Sequence, residues 1–355
     1  MSRGEVFYRK RDQYLVKNEV MKPIVSTLIP VYNAESTVED AIRSVLRQTL
    51  RELEVVVVND GSTDSTPDIL DSLAKQDSRV RVIHAPQRGI ISALNTGIAV
   101  CEGDLIARMD ADDVCHPKRF ELQVELMRAR PEVSVCSSLV KMFPRGELLG
   151  GLVKYEEWMN SLTTPEEIGR DMFVESPVAH PSVMLRRGEL QEIGGYQERG
   201  WAEDYDLWLR YHVAGKLFAK VPETLTFWRQ SQGRLTFTDS RYSLENFLRA
   251  KAHYLARLLS DEKRPIVLWG AGKMGRRISK HLMREGLSID AVIDIDPKKI
   301  GRTMRGLPIV SVDYLGNNSD FFVLQAVGSR IARELIREQL QAMGFVERRD
   351  FICTA

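Results

Sequence analysis

Three carboxylates fall close together in the run Met109-Asp110-Ala111-Asp112-Asp113. The apolar pair Leu105 and Ile106 ahead of it reads as a buried strand, and His116-Pro117 behind it is where a new helix can start. Like charge crowded at a strand end is unfavourable unless a cation or a set of hydrogen-bond donors neutralises it, so a divalent metal is the first chemistry this spacing suggests. Mg²⁺ and Mn²⁺ both suit oxygen ligands, and the residues do not choose between them. Taken alone, Asp-X-Asp-Asp also fits an acidic solvated turn.

The elements around the run decide how it is presented. Residues 25–29 form a β-rich run ending at Pro30-Val31-Tyr32-Asn33. Ser36-Thr37-Val38-Glu39 then has capping-box spacing, with Val38, Ala41, Ile42, Val45 and Leu46 on one helical face. Residues 54–59 contain four consecutive valines, the mark of a strand buried on both faces in a parallel sheet. That strand breaks at Asp60-Gly61-Ser62, and Ser65-Thr66-Pro67-Asp68 opens another helix. A third strand over 80–84, a third helix over 89–100 and a fourth strand over 105–109 continue the alternation expected of a doubly wound, mainly parallel α/β sheet. Ligands of such sheets sit beyond the carboxyl ends of the strands. Pro30 to Asn33, Asn59 to Gly61 and Asp110 to Asp113 lie at three such ends, so topology brings these polar residues to one crevice.

In this order, LIPVYNAE at 28–35, VVVVNDGSTDST at 55–66, GIISALNTG at 89–97, MDADD at 109–113 and AEDYDLWLR at 202–210 strongly resemble family 2 inverting glycosyltransferases of the GT-A fold. The match covers about residues 23 to 230. The resemblance implies displacement of a nucleoside diphosphate from a sugar C1 by an acceptor hydroxyl, with UDP-sugars favoured as donors. Asp112 is then the main metal ligand, and Asp110 lies nearer the donor ribose and sugar while sharing the metal. Asp113 either assists or caps the following segment. Donor contacts are implied for Pro30, Tyr32, Glu35, Asp60, Arg88, Asp110 and Ala111. Asp60 would accept from a ring N–H of the base, or shape its loop through an Asx-turn. Tyr32 would lie against the base, or be core. Arg88 would reach a phosphate or ribose oxygen, or stand as a surface arginine.

By the same resemblance Asp204 is the general base and Glu203 positions it or the acceptor. A helix N-terminus favours the ionised form of a carboxylate, which suits a base and equally explains acids in any first turn. Asp206 is the fallback. His180 and Trp201 are expected on the acceptor side, with a buried histidine bonded to a carbonyl as the alternative for His180. One departure stands out in FWRQSQ at 227–232, where many relatives carry Tyr-Arg-x-His: no histidine is present, so a third protein ligand to the metal is in doubt.

Residues 236–260 carry Tyr242, Phe247, Ala250, Tyr254 and Leu258 at helical intervals, a helix joining two modules. Ile266-Val267-Leu268-Trp269 then runs into Gly270-Ala271-Gly272-Lys273-Met274-Gly275, and Asp294 follows about twenty residues on, which is the dinucleotide fingerprint. The module is little more than half the size of a two-part dinucleotide domain, and no acid or base for hydride transfer stands out. Binding of a nucleotide or sugar phosphate at Gly270, Gly272, Gly275 and Asp294, or a role in oligomerisation, is favoured over NAD-dependent redox chemistry. The expected organisation is an extension over 1–22, a GT-A domain over 23–235, a helical linker over 236–262 and a smaller Rossmann-like domain over 263–355.

Bulk properties agree. A chain of 355 residues with 43% hydrophobic and 28% charged residues is globular and long enough for two cores. With 50 Lys plus Arg against 49 Asp plus Glu, nothing calls for nucleic acid. The four cysteines show neither Cys-x-x-Cys spacing nor a disulfide framework, so a reducing cytoplasm is expected. No run approaches 18 apolar residues, and the charged N-terminus has no signal h-region. It reads as a tail, or as an arm docking on a partner or membrane surface. The resemblance implies surface-glycan assembly, with a glycan or lipid-linked hydroxyl as acceptor, met in the cytoplasm or at the inner membrane face. Two alternatives stay open: an NAD-dependent sugar oxidoreductase, and a non-catalytic nucleotide-sugar-binding scaffold.

Overall fold

Val55 to Val58 are each fully buried, as a strand covered on both faces requires. The computed structural model describes residues 22–231, 233–316 and 320–355; apart from Lys22 the expected N-terminal extension lies outside them. In the first half, β1 (Val25–Val31), α1 (Val38–Leu46), β2 (Leu53–Asp60), α2 (Thr66–Gln76), β3 (Val80–Ala85), α3 (Ile90–Val100) and β4 (Leu105–Arg108) alternate as expected. β1 lies parallel between β2 and β4, and β3 extends the sheet beside β2.

The alternation stops at β4. β5 (Val114–Cys115), α4 (Arg119–Ala129), β6 (Val133–Phe143), α5 (Gly150–Ser161), α6 (Pro165–Asp171), β7 (Met184–Arg186), α7 (Arg187–Glu192), α8 (Glu203–Val213) and β8 (Leu217–Arg229) follow. They complete an eight-stranded sheet in the order β3-β2-β1-β4-β7-β6-β8-β5. β7 is antiparallel to both β4 and β6, and β5 is antiparallel to β8, so the sheet is mixed beyond β4.

Two local expectations are corrected. At the start of α1 neither Ser36 nor Glu39 forms a capping box, because Thr37 makes no side-chain cap and Glu39 pairs instead with Arg43 at 2.8 Å. A complete capping box closes on Thr164 and Glu167 at α6. The expected single helix over 236–260 is divided into α9 (Leu235–Thr238), a 3₁₀ turn at Ser240–Tyr242 and α10 (Leu244–Leu258). Asp239 and Ser243 each accept a backbone N–H as caps, which restarts the chain twice and leaves Tyr242 outside the long helix.

The C-terminal module comprises β9 (Ile266–Trp269), α11 (Lys273–Arg284), β10 (Ala291–Ile293), β11 (Thr303–Met304), β12 (Leu307–Val310), β13 (Phe322–Gln325), α12 (Arg330–Ala342) and β14 (Phe351–Cys353). Its sheet runs β11-β12-β10-β9-β13-β14, parallel except for β11. The order reverses between β9 and β13, which is the Rossmann switch point. α10 packs on α8 at one side and α11 at the other. The buried Lys251 on α10 donates to the carbonyls of Val174 and Thr354, at 2.7 and 3.2 Å, and Arg337 on α12 meets Asp171 at 2.6 Å. Among the described residues no helix is long and apolar enough to cross a membrane.

Candidate active site

The loops after β1 and β2 are buttoned together. Asn33, held at φ 46°, receives the Thr63 N–H on Oδ1 at 2.8 Å, while its own N–H donates to Ser62 Oγ at 2.9 Å. Glu35 accepts from the Ser65 N–H at 2.9 Å and Asp64 accepts from the Glu35 N–H at 3.1 Å. Gly61 turns with φ 73°, and a Cβ there would lie 2.7 Å from the Gln87 nitrogen, so this turn needs glycine. Glu35, expected on the donor, is exposed and gives one carboxylate oxygen to this loop latch. Pro30 pairs in register with Val58 inside the sheet, and Tyr32 just beyond it is 47% exposed, a free ring at the crevice rather than core.

Asp60 is buried, and its two oxygens accept the N–H groups of Arg88 and Gly89, both at 2.8 Å. It thus ties the β2 end to the start of α3, and each oxygen keeps a further lone pair for a ligand. The exposed Arg88 side chain has no hydrogen-bond or ion-pair partner among the described residues.

Asp110, Asp112 and Asp113 converge so that one ligand oxygen from each lies within 4.8 Å of the others. Burial, then the charge of Asp110, raises the pKa of Asp112; the same causes with Asp112 added push Asp113 well above the usual range. Asp113 Oδ1 accepts the Arg229 N–H at 2.7 Å, while the buried Oδ2 has no partner among the described residues. An orphaned carboxylate oxygen beside two further acids is a donor set that fits a hard divalent cation. In the stretch that lacks the histidine, Arg229 Nε donates to the Asp112 carbonyl at 2.8 Å, and just beyond it Arg234 approaches Asp110 at 3.9 Å.

Arg108 went unnoticed in the sequence. It is fully buried and meets Asp110 Oδ1 at 2.5 Å. Burial is the largest influence and works against its charge, but Asp110, Tyr196 and Asp113 together outweigh it and hold the guanidinium protonated. Its field also reaches Glu203 and Asp204, favouring their ionised forms, so one guanidinium links the acid cluster to the acids of α8. The available signal is an arginine at the last position of β4, two residues before the first acid of the cluster.

α8 opens with Glu203 and Asp204. Glu203 is buried, and both its oxygens lie within reach of the Tyr242 hydroxyl, at 2.8 and 2.7 Å. Burial raises its pKa despite that bond. Asp204 is partly exposed, accepts the Tyr205 N–H at 2.7 Å, and is pushed up to about 7 by burial and then by the charge of Glu203. The helix N-terminus was expected to keep it readily ionised; burial and the adjacent acid outweigh that field.

The remaining expectations fall inside the protein. Asp206 is fully buried and occupied by Trp201 Nε1 at 2.8 Å, the Tyr254 hydroxyl at 2.7 Å and Arg210 Nε at 2.8 Å, so it braces the fold instead of offering a base. Trp201, expected on the acceptor side, is buried by the same network. His180 is buried too, 2.6 Å from the Tyr196 hydroxyl and edge-on to Trp208. Burial, then Arg108, lowers its pKa well below the usual value, which leaves a neutral internal ring.

A second cavity, of about 690 Å³, opens at the switch point of the C-terminal sheet and is lined by Gly270, Gly272, Lys273, Arg277, Asp294 and Lys299 among others. Gly275 permits the close strand–helix approach: a Cβ there would lie 1.7 Å from the Gly270 oxygen. Asp294, expected to read a ribose, is already engaged by the N–H groups of Ala271 and Asp296, both at 2.9 Å, and by Lys299 Nζ at 3.0 Å. Burial would raise its pKa, but these partners hold it low.

The first half of the chain has the GT-A arrangement, a mixed α/β sheet with its acids at one strand-end crevice. Staphylococcus aureus TarS residues 1–349, solved in complex with UDP-GlcNAc, shares this fold with a TM-score of 0.53 and 18% identity, over 65% of this chain and 66% of that one. A family model described as glycosyl transferase family 2 matches residues 26–194, and one described as CoA binding domain matches residues 261–344. An uncharacterized glycosyltransferase of Haemophilus influenzae is 31% identical over 213 residues, 58% of this chain and 65% of that relative, which is just under two-thirds of its length. The amylovoran biosynthesis glycosyltransferase AmsE of Erwinia amylovora is 32% identical over 203 residues, 56% of this chain and 74% of that protein. The chain belongs to glycosyl transferase family 2.

Proposed function

We propose that the protein is an inverting glycosyltransferase that moves a sugar from a nucleoside-diphosphate sugar, with a UDP-sugar favoured, to an acceptor hydroxyl in surface-glycan assembly. The observation that carries this reading is the Glu203–Asp204 pair, with Asp204 partly exposed and poised at about 7. A base is most effective when its pKa lies near the working pH. Asp204 takes the acceptor proton, the acceptor oxygen bonds to C1, and the bond from C1 to the diphosphate oxygen breaks in line, inverting the anomeric centre. Glu203, held by Tyr242, keeps Asp204 basic by its charge.

Tyr32 and Asp60 are assigned to the base, which the exposure of the Tyr32 ring at the buttoned loops supports, and Arg88, exposed and without a side-chain partner among the described residues, to a phosphate. Asp112, Asp110 and Asp113 would hold Mg²⁺ or Mn²⁺, which as a Lewis acid offsets the charge of the leaving diphosphate. The structure of TarS with UDP-GlcNAc supports the donor class, and the name of AmsE supports the glycan setting.

A thermal-shift panel of UDP, GDP, dTDP, CMP and NAD, with and without Mn²⁺, on wild type and Asp112→Ala tests the reading. A ligand at about 100 times its dissociation constant adds about 2.7 kcal/mol of stability. Metal-dependent stabilisation by one nucleoside diphosphate, lost in Asp112→Ala, is expected. Stabilisation by NAD alone, unchanged in the variant, would move the chemistry to the C-terminal module and overturn the proposal.

A further inference from the structure

The short connection 239–245 takes part in two sites at once. Tyr242 turns back onto the start of α8 and bonds Glu203. Two residues later, Leu244 opens α10 and lines the C-terminal cavity, where it is 46% exposed. Glu245, the next residue, meets Lys280 Nζ at 3.1 Å and His281 Nε2 at 2.8 Å on α11. α11 is also the helix whose first residue, Lys273, faces the cavity. The hold on Glu203 and the wall of the cavity are thus two residues apart on one strap, anchored by ion pairs to the helix that frames the cavity.

The cavity has the chemistry to be filled. Lys273 and Arg277 line it without a hydrogen-bond or ion-pair partner among the described residues, and Lys299 neutralises the single acid, Asp294. Gly272 leaves open space at the N-terminus of α11, where no Cβ would meet another atom. A phosphate group satisfies unpaired cations and a helix N-terminus together. Leu335 and Ile336 offer an apolar wall to the rest of such a molecule. Because Asp294 is pinned by Lys299 and two backbone N–H groups, the phosphate end dominates recognition over a ribose diol.

Resting on the reading of Glu203 and Asp204 as the catalytic pair, we propose that a phosphorylated ligand in the C-terminal cavity controls glycosyl transfer, by covering Leu244 and so fixing Tyr242 against Glu203. Leu244 is the element with different contacts in the two states, which is what coupling requires. α10, wedged between α8 and α11, carries the change as a rigid rod. The C-terminal module is then a sensor, and the linkage is reciprocal: whatever orders the start of α8 also tightens the cavity.

Hydrogen exchange on the full chain tests this, with coenzyme A, UDP without metal, and NAD as separate probes on wild type and Tyr242→Phe. One probe is expected to slow exchange at 276–279 in α11 and, by about fivefold or more, at 206–209 in α8. Tyr242→Phe keeps the first effect and loses the second. Protection of the cavity with no change in α8, an α8 effect that survives in Tyr242→Phe, or no probe protecting the cavity each overturns the proposal. UDP with Mn²⁺ in the same experiment reports on the loops at 30–35 and 109–113. Its failure there would count against the donor assignment and leave the cavity measurement standing.

Discussion

Asp204→Asn separates the cost of a charged base from its use. The substitution keeps the side-chain shape and the oxygen that accepts the Tyr205 N–H at 2.7 Å, and removes only the charge. Burial first and Glu203 second move this carboxyl from 3.8 up to about 7. One pH unit is worth about 1.4 kcal/mol, so carrying the charge above pH 8 costs the fold between about 1 and 4 kcal/mol. The sign follows from which state releases its proton first. The unfolded chain ionises Asp204 near 3.8 and the folded chain near 7, so this acid's contribution is fully present below pH 4 and is lost as pH rises to about 7. Asp204→Asn is therefore expected to raise Tm at pH 8, by about 2–4 °C per kcal/mol, with little change at pH 4. It should also lower kcat by about 10²-fold or more. Differential scanning fluorimetry at the two pH values and nucleoside-diphosphate release from the donor identified above provide the measurements. A near-normal rate refutes the base assignment, and an unchanged or lower Tm at pH 8 refutes the electrostatic argument behind it.

The wild-type rate should rise with pH through about 7 as Asp204 loses its proton, and Glu203→Gln should move that limb to lower pH by removing the neighbouring charge. Since burial is the larger cause, the limb moves only part of the way to 3.8; a limb that stays in place sinks the pairing. Asp60→Asn turns an amide NH₂ toward one of the N–H groups it now accepts, at a cost of about 1–3 kcal/mol in urea unfolding. It should also weaken UDP in calorimetry, and lost stability with unchanged UDP affinity would reduce Asp60 to loop shaping. Gly275→Ala places a methyl 1.7 Å from the Gly270 oxygen, so β9 and α11 must separate. Limited proteolysis should then cut the C-terminal module while UDP with Mn²⁺ still stabilises the first half; an uncut module would contradict the packing.

The alternating apolar runs from Val25 to Arg108 and the order of the polar strand ends were legible because both are local. Continuous apolar runs for strands buried on both faces, and loop residues at strand ends, need only neighbouring positions, and parallel pairing then carries Tyr32, Asp60 and Asp110 to one edge. The fingerprint from Gly270 to Asp294 was legible for the same reason. What the sequence left open depended on partners far along the chain. Whether Asp204 is ionised rests on burial, on Glu203 and on Arg108, 96 positions away by residue number. Asp206, Trp201 and His180 look like site residues in a motif and become structure only when Tyr254, Arg210 and Tyr196 close around them. Arg108 passes for an ordinary strand residue until its guanidinium is seen beside Asp110. The sequence by itself determined the fold class and the crevice, since those follow from pattern and topology. Only the tertiary structure decided which acids are free, which are spent and what pKa each takes, because desolvation and charge act through space and not along the chain.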